Sequence, residues 1–250
     1  MAARSRSENM LVTKVTRGDT GEVAARKPDD LIVEEPMTIQ LDGTKVSTTM
    51  RTPGHDYELA VGFCFTDGLL GGATVTGVRY CANGSAAASE FNVVTVDTGG
   101  KAPAPRVRLG NTTSSCGLCG NDAIDDLCTW LQPLPDTPMF SSEVLLRMPD
   151  AVLGSQGLFN STGAVHAAAA FTRDGEVLLT REDVGRHNAV DKVVGYMVRN
   201  GLEPSEHGLF VSGRVSFELV QKAVVARLPL VAGISAPTSM AVDLGREAGL

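Results

Sequence analysis

The stretch Val177–Lys192, which reads VLLTREDVGRHNAVDK, decides how the second half of this chain folds. Its first four residues form an apolar run typical of a strand, and a helical pattern over Asn188–Arg199 ends at Asn200-Gly201. The order of strand, polar loop and helix occurs twice more, with strands over Leu209–Val211 and Leu230–Ile234 and helices over Phe217–Arg227 and Ser239–Leu244. Strands that alternate with helices predict an α/β domain containing at least one parallel pair.

Two further elements complete this predicted domain, which we assign to residues 136–250. A helix begins at Ser142, and the alternation over Val165–Phe171 predicts a strand that turns at Asp174-Gly175 back into Val177. The proline-rich stretch Pro133–Pro138 is a plausible domain boundary.

The first half of the chain is predicted to be a smaller, β-rich domain over residues 31–135. Met37–Leu41 and Val46–Met50 alternate on either side of Asp42-Gly43, a pairing typical of a hairpin. A helix over Asp56–Thr66 is apolar nearly all round and is therefore expected to be buried. Two more strands are predicted, over Val75–Tyr80 and Phe91–Val96. Residues 1–30 are polar with mixed charge, and we expect much of this segment to be poorly ordered.

A pair of cysteines lies in the stretch Asn111–Gly120, NTTSSCGLCG, at Cys116 and Cys119. The Gly/Pro-rich residues 98–106 before it predict a mobile loop over residues 98–120, and a helix is predicted from Asn121 to Leu131. The start of a helix favours thiolate over thiol. The pattern indicates a nucleophilic thiol on a mobile loop.

Three other interpretations of the cysteine pair remain open. A closed zinc site needs four ligands, and this chain has one Cys-x-x-Cys, so a distant histidine would have to complete it. A structural disulfide is the second interpretation, and a thioredoxin-type redox pair is the third. The remaining cysteines, Cys64, Cys81 and Cys128, are scattered, and Cys128 lies on the apolar face of its predicted helix.

Composition limits the classes of partner. The chain has 250 residues, of which 43% are hydrophobic, and a net charge of −7, which argues against nucleic acid because phosphate binding needs a basic surface. We find neither a signal peptide nor an apolar run long enough to cross a bilayer, so we expect a cytoplasmic protein with reduced thiols.

Three polar loops follow the strands of the second domain: Arg181–Asn188, Ser212–Arg214 and Ser235–Thr238. Ligands of open α/β sheets bind outside the carboxyl ends of the strands, and each loop leads into a helix N-terminus that favours anions. This combination predicts a site for a phosphorylated small molecule, such as a nucleotide. The alternative is that Arg181 and Arg186 pair with Glu182 and Asp183, that His187 caps its helix, and that His166 belongs to the core.

These residues resemble the formate dehydrogenase accessory sulfurtransferases, the FdhD family, from about residue 30 to the C-terminus. The resemblance rests on five motifs, namely RTPGHDYELA at residues 51–60, CGLCG at 116–120, Thr162-Gly163 with His166–Ala168, REDVGRHNAVDK at 181–192, and Ser212–Arg214 with GISAPTSM at 233–240. It implies a cytidine-deaminase-like α/β/α C-terminal domain behind a smaller β-rich α+β N-terminal domain. It also implies relay of sulfur from a cysteine desulfurase to a molybdenum or tungsten bis(guanine dinucleotide) cofactor for formate dehydrogenase.

The resemblance, combined with the loop analysis, gives each candidate residue a role. Cys116 is expected to carry the persulfide because it lies further from the predicted helix cap, and Cys119 is expected to assist it. The expected cofactor-binding residues are Arg51, His55, Arg181, His187, Asn188, Lys192, Ser212, Gly213, Arg214, Ser235, Ala236, Pro237 and Thr238. The molybdenum cofactor is a bound substrate in this interpretation, with no permanent cofactor and no bound metal.

The expected partners are a cysteine desulfurase, formate dehydrogenase and the guanine nucleotide part of the cofactor. A homodimer is compatible with the sequence, which does not fix the oligomeric state. Two alternative functions remain, a non-catalytic cofactor-binding chaperone and a zinc-dependent hydrolase. The hydrolase needs His-x-Glu followed by Pro-Cys-x-x-Cys, whereas His166 here is followed by alanines. Family members are expected to continue into an aromatic and basic tail after Leu250, and its loss would weaken cofactor binding.

Overall fold

The computed structural model of the protein describes residues 4–18, 21–81, 89–104, 133–135 and 140–250. Residues 105–120 of the predicted mobile loop, the helix predicted after it and residues 136–138 of the predicted domain boundary lie outside these ranges. Among the described helices, none combines the length and the apolar character needed to cross a bilayer.

The N-terminal segment contains a long hairpin, so the expectation of poor order over residues 1–30 is wrong. Strand β1 (Ser7–Gly18) pairs antiparallel with β2 (Gly21–Ile32) in continuous register from Ser7 opposite Ile32 to Gly18 opposite Gly21. Cross-strand hydrogen bonds hold these two largely exposed strands together. The hairpin carries its own ion pair, between Lys14 Nζ and Asp29 Oδ2 at 2.9 Å.

The first four-stranded sheet confirms the predicted β-rich half of the chain. Its strands are β3 (Glu35–Leu41), β4 (Thr44–Arg51), β5 (Gly77–Tyr80) and β6 (Val93–Asp97), arranged in the order β4-β3-β6-β5. The β3–β4 turn is the predicted Asp42-Gly43, and both residues have positive φ, 47° and 82°. This is the backbone that a two-residue hairpin requires and that aspartate and glycine tolerate.

The predicted helix α1 (Asp56–Thr66) packs against this sheet. Met37, Ile39 and Leu41 alternate inward from β3 and are fully or almost fully buried in one cluster with Leu59 and Cys64 of α1. Eight of the eleven residues of α1 are buried, because its opposite face lies against the second half of the chain. The prediction of a buried helix is confirmed.

The second sheet confirms the predicted α/β domain. Its strands are β7 (His166–Phe171), β8 (Val177–Asp183), β9 (Gly208–Val211) and β10 (Leu230–Gly233), in the order β10-β9-β7-β8. β9 and β10 are parallel, whereas β7 is antiparallel to both β8 and β9. The helices of this half are α2 (Ser142–Leu153), α3 (Gly157–Thr162), α4 (Arg186–Asn200), α5 (Phe217–Val225) and α6 (Ser239–Ala248). The short α3 was not predicted.

Helices cover both faces of the second sheet. Ala168 and Ala170 of β7 pack in one cluster with α4, α5 and α6, while Ala169 and Phe171 pack on the opposite face with Met148 of α2. Successive strand residues point to opposite faces, so these two clusters define three layers. The α/β/α arrangement that the resemblance implied is confirmed.

The two halves meet where α1 crosses α4, and a glycine on each helix lets the two backbones come into close contact. A Cβ placed on Gly62 would lie 1.8 Å from the carbonyl oxygen of Asp191, and one placed on Gly195 would lie 1.8 Å from that of Glu58. No side chain fits at either position while the backbones stay where they are. The two helices therefore approach backbone to backbone.

Replacing Gly62 by alanine is expected to force α1 and α4 apart and to lower the free energy of unfolding by about 3 kcal/mol, the upper end of the usual cost of overpacking. Gly245→Ala in α6 is the matched control, because a Cβ there meets its nearest atom at 3.7 Å, an ordinary contact. Urea denaturation followed by circular dichroism measures both variants. Equal stability of the two variants would contradict the close approach.

Candidate functional site

Three helices begin at one edge of the second sheet. Strands β8, β9 and β10 run in the same direction, so the loops that follow them lie together and lead into α4, α5 and α6. We call this edge the carboxyl edge. Strand β7 is antiparallel and starts here, which places His166 opposite Asp183 in the cross-strand register. The predicted convergence of the three polar loops is present in the structure.

His166, Gly213 and Arg186 meet at the centre of the carboxyl edge. A Cβ placed on Gly213 would lie 3.3 Å from His166 Nδ1 and 3.6 Å from the Cβ of Arg186. Glycine at this position therefore lets the loop after β9 pass close to the histidine. Ser212 secures the same loop, since its Oγ accepts a hydrogen bond of 2.9 Å from the backbone N–H of Ala167.

Several polar atoms at this edge are buried without a hydrogen-bond partner in the described part of the chain. They are Arg186 Nε, His187 Nε2 and Ser216 Oγ. The nearest acidic group recorded for His187 is Glu218, whose Oε2 lies 3.9 Å from Nε2, beyond hydrogen-bonding distance. Buried polar groups are nearly always satisfied, so this cluster has the chemistry of a site that binds a polar or anionic ligand.

The first turns of α4 and α5 lack side-chain caps. Gly185 precedes α4 and has no side chain, and Ser216 precedes α5 without bonding the helix. The free N–H groups of these turns therefore remain available to an anion. By contrast, Thr238 caps α6 by accepting a hydrogen bond of 3.3 Å from the N–H of Ala241.

The electrostatics of His166 agree with an anion site. Burial lowers the pKa of His166, and the neighbouring charges of Arg186 and His187 lower it further, while Asp183 opposes them. An anion bound beside the ring would counteract these effects and raise the pKa. Binding would then take up a proton, so affinity should increase as the pH falls through the range in which His166 titrates.

Beneath the carboxyl edge, Asp183 joins both halves of the protein. Its Oδ2 lies 2.7 Å from Lys192 Nζ and accepts a 3.2 Å hydrogen bond from the N–H of Thr52. Its Oδ1 accepts hydrogen bonds from the N–H of Gly185 at 2.8 Å and from Asn188 Nδ2 at 2.9 Å. Both Asp183 and Lys192 are fully buried. The carboxylate thus positions the start of α4 against the loop that follows β4.

Other predicted site residues carry charges that nearby carboxylates already match. Arg181 forms two hydrogen bonds with Glu58, at 2.6 and 3.1 Å, and lies over the ring of Tyr196. The alternative in which Arg181 pairs with Glu182 or Asp183 is wrong, because Arg181 bonds Glu58 and Glu182 accepts hydrogen bonds from two backbone N–H groups of α3. Burial disfavours ionised Glu58, but the bonds from His55 and Arg181 prevail and lower its pKa.

Arg51 is also part of an internal network. It is fully buried, and its guanidinium bonds both carboxylate oxygens of Asp56 at 3.1 and 3.0 Å and reaches Glu35 at 3.0 Å. Contact of Arg51, Arg181 or Lys192 with a ligand stays a prediction, and the geometry favours a structural role for all three. His55 precedes α1 with a φ of 58° and lies 3.4 Å from Glu58 through its Nδ1.

The remaining predicted residues differ in accessibility. Asn188 is buried and bonds the carbonyl oxygen of Met50 at 2.8 Å, so it links α4 to β4. Arg214 is exposed beside the site, and Ser235, Ala236, Pro237 and Thr238 form the rim before α6. The described residues contain no group of three or more histidine, cysteine and acidic side chains able to hold a metal ion.

Cys116 and Cys119 lie outside the described residues, so their placement stays a prediction. The two described cysteines, Cys64 and Cys81, are buried. Burial raises the pKa of the Cys64 thiol, which keeps it protonated and unreactive.

Sequence comparison identifies the family. The model of the FdhD/NarQ family matches residues 32–250. The chain belongs to this family. Among relatives, the sulfur carrier protein FdhD of Streptomyces coelicolor is 47% identical over 246 residues, covering 95% of this chain and 87% of that protein. The sulfur carrier protein FdhD of Mycobacterium tuberculosis is 41% identical over 235 residues, covering 90% and 85% of the two chains.

A solved structure supports the fold of this FdhD/NarQ family member. The crystal structure of a candidate formate dehydrogenase accessory protein from Desulfotalea psychrophila superposes with a TM-score of 0.72. The comparison covers 96% of this chain and 90% of that one at 22% sequence identity. At that identity the likeness concerns the fold alone.

The sequence analysis did not select Ser216 or Arg6. Ser216 stands directly before a helical pattern, a position at which serine normally acts as a cap, and that position is the signal for it. Arg6 precedes the hairpin in a segment expected to be poorly ordered. Its Nε is buried without a hydrogen-bond partner in the described part of the chain, and its side chain lies 3.5 Å from a Cβ placed on Gly54.

We expect the site to bind GDP, a soluble probe for a guanine nucleotide, with an affinity that falls as the salt concentration rises. Arg214→Ala should weaken binding roughly tenfold or more, since a charge-assisted hydrogen bond contributes about 1.5–3 kcal/mol. Affinity should also be higher at pH 6 than at pH 8, because burial lowers the pKa of His166 and the anion raises it.

Isothermal titration calorimetry measures these changes. Arg173→Ala is the control, because Arg173 is an exposed arginine in the β7–β8 turn at the opposite edge of the sheet. Equal losses of affinity in both variants would show that general charge, and not the carboxyl edge, binds the nucleotide.

Proposed function

We propose that this protein is a sulfur carrier that supports the maturation of formate dehydrogenase. The names of its relatives, together with their 40–47% identity over most of the chain, support the sulfur-carrier role. The observation that carries the proposal is the cluster of buried, unpartnered polar groups at the carboxyl edge, beside the start of α4 and α5. That cluster has the chemistry to hold the phosphate end of a nucleotide cofactor.

In the proposed reaction Cys116 accepts sulfur from a cysteine desulfurase. Its thiolate attacks the outer sulfur of the desulfurase persulfide, a new S–S bond forms on Cys116, and the desulfurase thiolate leaves. Neither protein is oxidised or reduced overall, because one persulfide replaces another. The loop position favours Cys116 over the buried Cys64 and Cys81, whose thiols are not accessible to another protein.

Delivery then requires that the outer sulfur leave Cys116 with two electrons. Cys119 thiolate attacks the inner sulfur, a Cys116–Cys119 disulfide forms, and sulfide passes to the metal of the bound cofactor. A cellular dithiol reductant restores both thiols before the next cycle. The proposed substrate is a molybdenum or tungsten bis(guanine dinucleotide) cofactor, and the proposal places the protein in the cytoplasm, where thiols stay reduced.

The carboxyl edge has a separable role in this scheme. His166, Arg186 and the first turns of α4 and α5 bind and orient the anionic part of the cofactor. Their chemistry is that of recognition, since they supply N–H donors and positive charge. The same observation favours a second candidate function, a non-catalytic chaperone that binds the cofactor and whose cysteines merely coordinate it, because the edge is complete without the cysteines.

Sulfur loading distinguishes the two functions. After incubation with a cysteine desulfurase and cysteine, intact-protein mass spectrometry should show an added sulfur atom that a reductant removes. Cys116→Ser should abolish loading, whereas Cys119→Ser should load and then transfer poorly, because the attack on the inner sulfur is missing. Both variants should bind GDP like the parent, since neither changes the carboxyl edge.

Cys64→Ser is the control for loss of a cysteine outside the proposed relay. Loading that survives in Cys116→Ser and disappears in Cys119→Ser would reverse the assignment of the two residues. Loading that persists when both are replaced would contradict the sulfur-carrier mechanism.

A further inference from the structure

Arg6 precedes the hairpin β1–β2 and brings a guanidinium group close to the residues that support the carboxyl edge. A Cβ placed on Gly54 would lie 3.5 Å from Arg6 Nε and 4.0 Å from Arg6 Cζ. The guanidinium therefore lies against the backbone of the loop between β4 and α1. In the same loop, the N–H of Thr52 bonds the carboxylate of Asp183. Arg6 is thus a neighbour of the group that fixes the start of α4.

The segment that carries Arg6 is held in place by the first sheet. The N–H of Val33 donates a 2.9 Å hydrogen bond to the carbonyl oxygen of Arg6. Two residues earlier, Arg4 bonds Asn92 Oδ1 at 2.9 Å and pairs with Glu35. A side chain on a backbone that is already ordered loses less freedom when it binds a ligand. The position of the Arg6 guanidinium is therefore prepared in advance.

Three carboxylates lie near Arg6, and each is bonded to other groups. Burial lowers the pKa of Arg6, and the charges of Glu182 and Asp183 oppose this effect. Arg181 lowers the pKa further, and Asp56 raises it. Both oxygens of each carboxylate accept hydrogen bonds from other donors. Arg6 Nε, meanwhile, is buried without a hydrogen-bond partner among the described residues. The carboxylates hold the positive charge in place and leave its donors to another acceptor.

The charges around Arg6 balance one another before a ligand binds. Asp56 and Asp183 each pair with a buried cation, and the charge of Arg6 offsets that of Glu182. A phosphate beside Arg6 would also lie near all three carboxylates, which would repel it. A neutral group with acceptor atoms avoids this repulsion and can still accept hydrogen bonds from the guanidinium. The surroundings of Arg6 therefore suit a neutral acceptor better than a second anion.

Asp183 connects Arg6 to the anion site at the carboxyl edge. Its charge acts on the pKa values of both His166 and Arg6. The other charges that act on His166 are those of Arg186 and His187, whereas Arg6 is influenced mainly by carboxylates. Arg6 is therefore close to the anion site without being part of it. A nucleotide matches this arrangement, since it has a phosphate at one end and a neutral base at the other.

We propose that Arg6 binds the base of the nucleotide held at the carboxyl edge and selects guanine over adenine. Guanine presents two neighbouring acceptors, O6 and N7, and the arginine fork donates to both, whereas adenine presents one acceptor beside a donor. This inference rests on the proposed function, because it concerns the guanine nucleotide of the cofactor. The family model begins at residue 32, so Arg6 lies outside the segment that it matches.

Isothermal titration calorimetry with GDP and ADP tests the proposal. We expect the parent to bind GDP roughly tenfold or more tightly than ADP, as a bidentate contact to guanine allows. Arg6→Ala should lose most of this preference by weakening GDP binding, with ADP binding unchanged. Arg6→Lys keeps the charge but lacks the fork of donors, so it should lose the preference as well. Arg17→Ala is the matched control, because Arg17 is an exposed arginine of β1, and it should bind both nucleotides like the parent.

A purely structural role of Arg6 gives a different result. In that case Arg6→Ala would lower the melting temperature and weaken GDP and ADP binding by the same factor, and Arg6→Lys would restore both. That outcome would overturn the proposal. So would a parent that does not bind GDP, a parent that binds GDP and ADP equally, or an Arg6→Ala variant that keeps the full preference for GDP.

Sulfur loading separates this inference from the proposed function. Loading from a cysteine desulfurase depends on the thiols and does not involve the nucleotide base, so Arg6→Ala should load sulfur like the parent. A protein that loads sulfur but shows no preference for GDP would retain the carrier role and lose the role of Arg6. A protein that prefers GDP through Arg6 but takes up no sulfur would contradict the carrier role alone.

Discussion

The carboxylate of Asp183 is the group on which the rest of the structure depends. It ends β8, accepts a hydrogen bond from the N–H of Gly185 just before α4, pairs with the buried Lys192 and accepts another from the N–H of Thr52 in the other half of the chain. Removing one partner of a buried ion pair costs about 3–5 kcal/mol, because the other charge stays buried without compensation. Asp183 therefore fixes the position of α4 and of the carboxyl edge, although its own side chain is fully buried.

The charged residues of this region form two groups, one that stabilises the fold through internal ion pairs and one that lies at the proposed binding site. Arg51, Arg181 and Lys192 are matched by Asp56, Glu58 and Asp183, so their charge is neutralised inside the protein. At the carboxyl edge, by contrast, Arg186 Nε and His187 Nε2 are buried without a hydrogen-bond partner among the described residues, and Glu218 lies 3.9 Å from His187 Nε2. Buried N–H donors at a sheet edge, above ion pairs that are already neutral, favour the binding of an anion. This division explains how one short stretch, residues 181–192, serves both the fold and the proposed site.

Local sequence patterns predicted most of the helices and strands. They did not predict contacts between residues that are far apart in the sequence. Asp42-Gly43 and Asn200-Gly201 specify their turns by themselves, and the rule that parallel strands end at the same sheet edge correctly predicts that the three loops lie together. The sequence did not reveal the partner of Arg181, because Glu58 is 123 residues away, whereas the candidate partners Glu182 and Asp183 are its neighbours. The hairpin at residues 7–32 was missed because its stability comes from pairing between two polar strands, which composition does not reveal. The backbone contact at Gly62 and Gly195 likewise depends on two helices meeting, and neither glycine signals it alone.

The central claim is that sulfur held by this protein reaches a cofactor bound at the carboxyl edge. The most direct measurement loads the protein with ³⁵S from a cysteine desulfurase, isolates it, and adds desulfo molybdenum bis(guanine dinucleotide) cofactor in a single turnover. The account predicts that the label moves from protein to cofactor in a one-to-one ratio, and that excess GDP blocks the transfer. Label that stays on the protein, or leaves it as free sulfide at the same rate with and without the cofactor, would contradict the account.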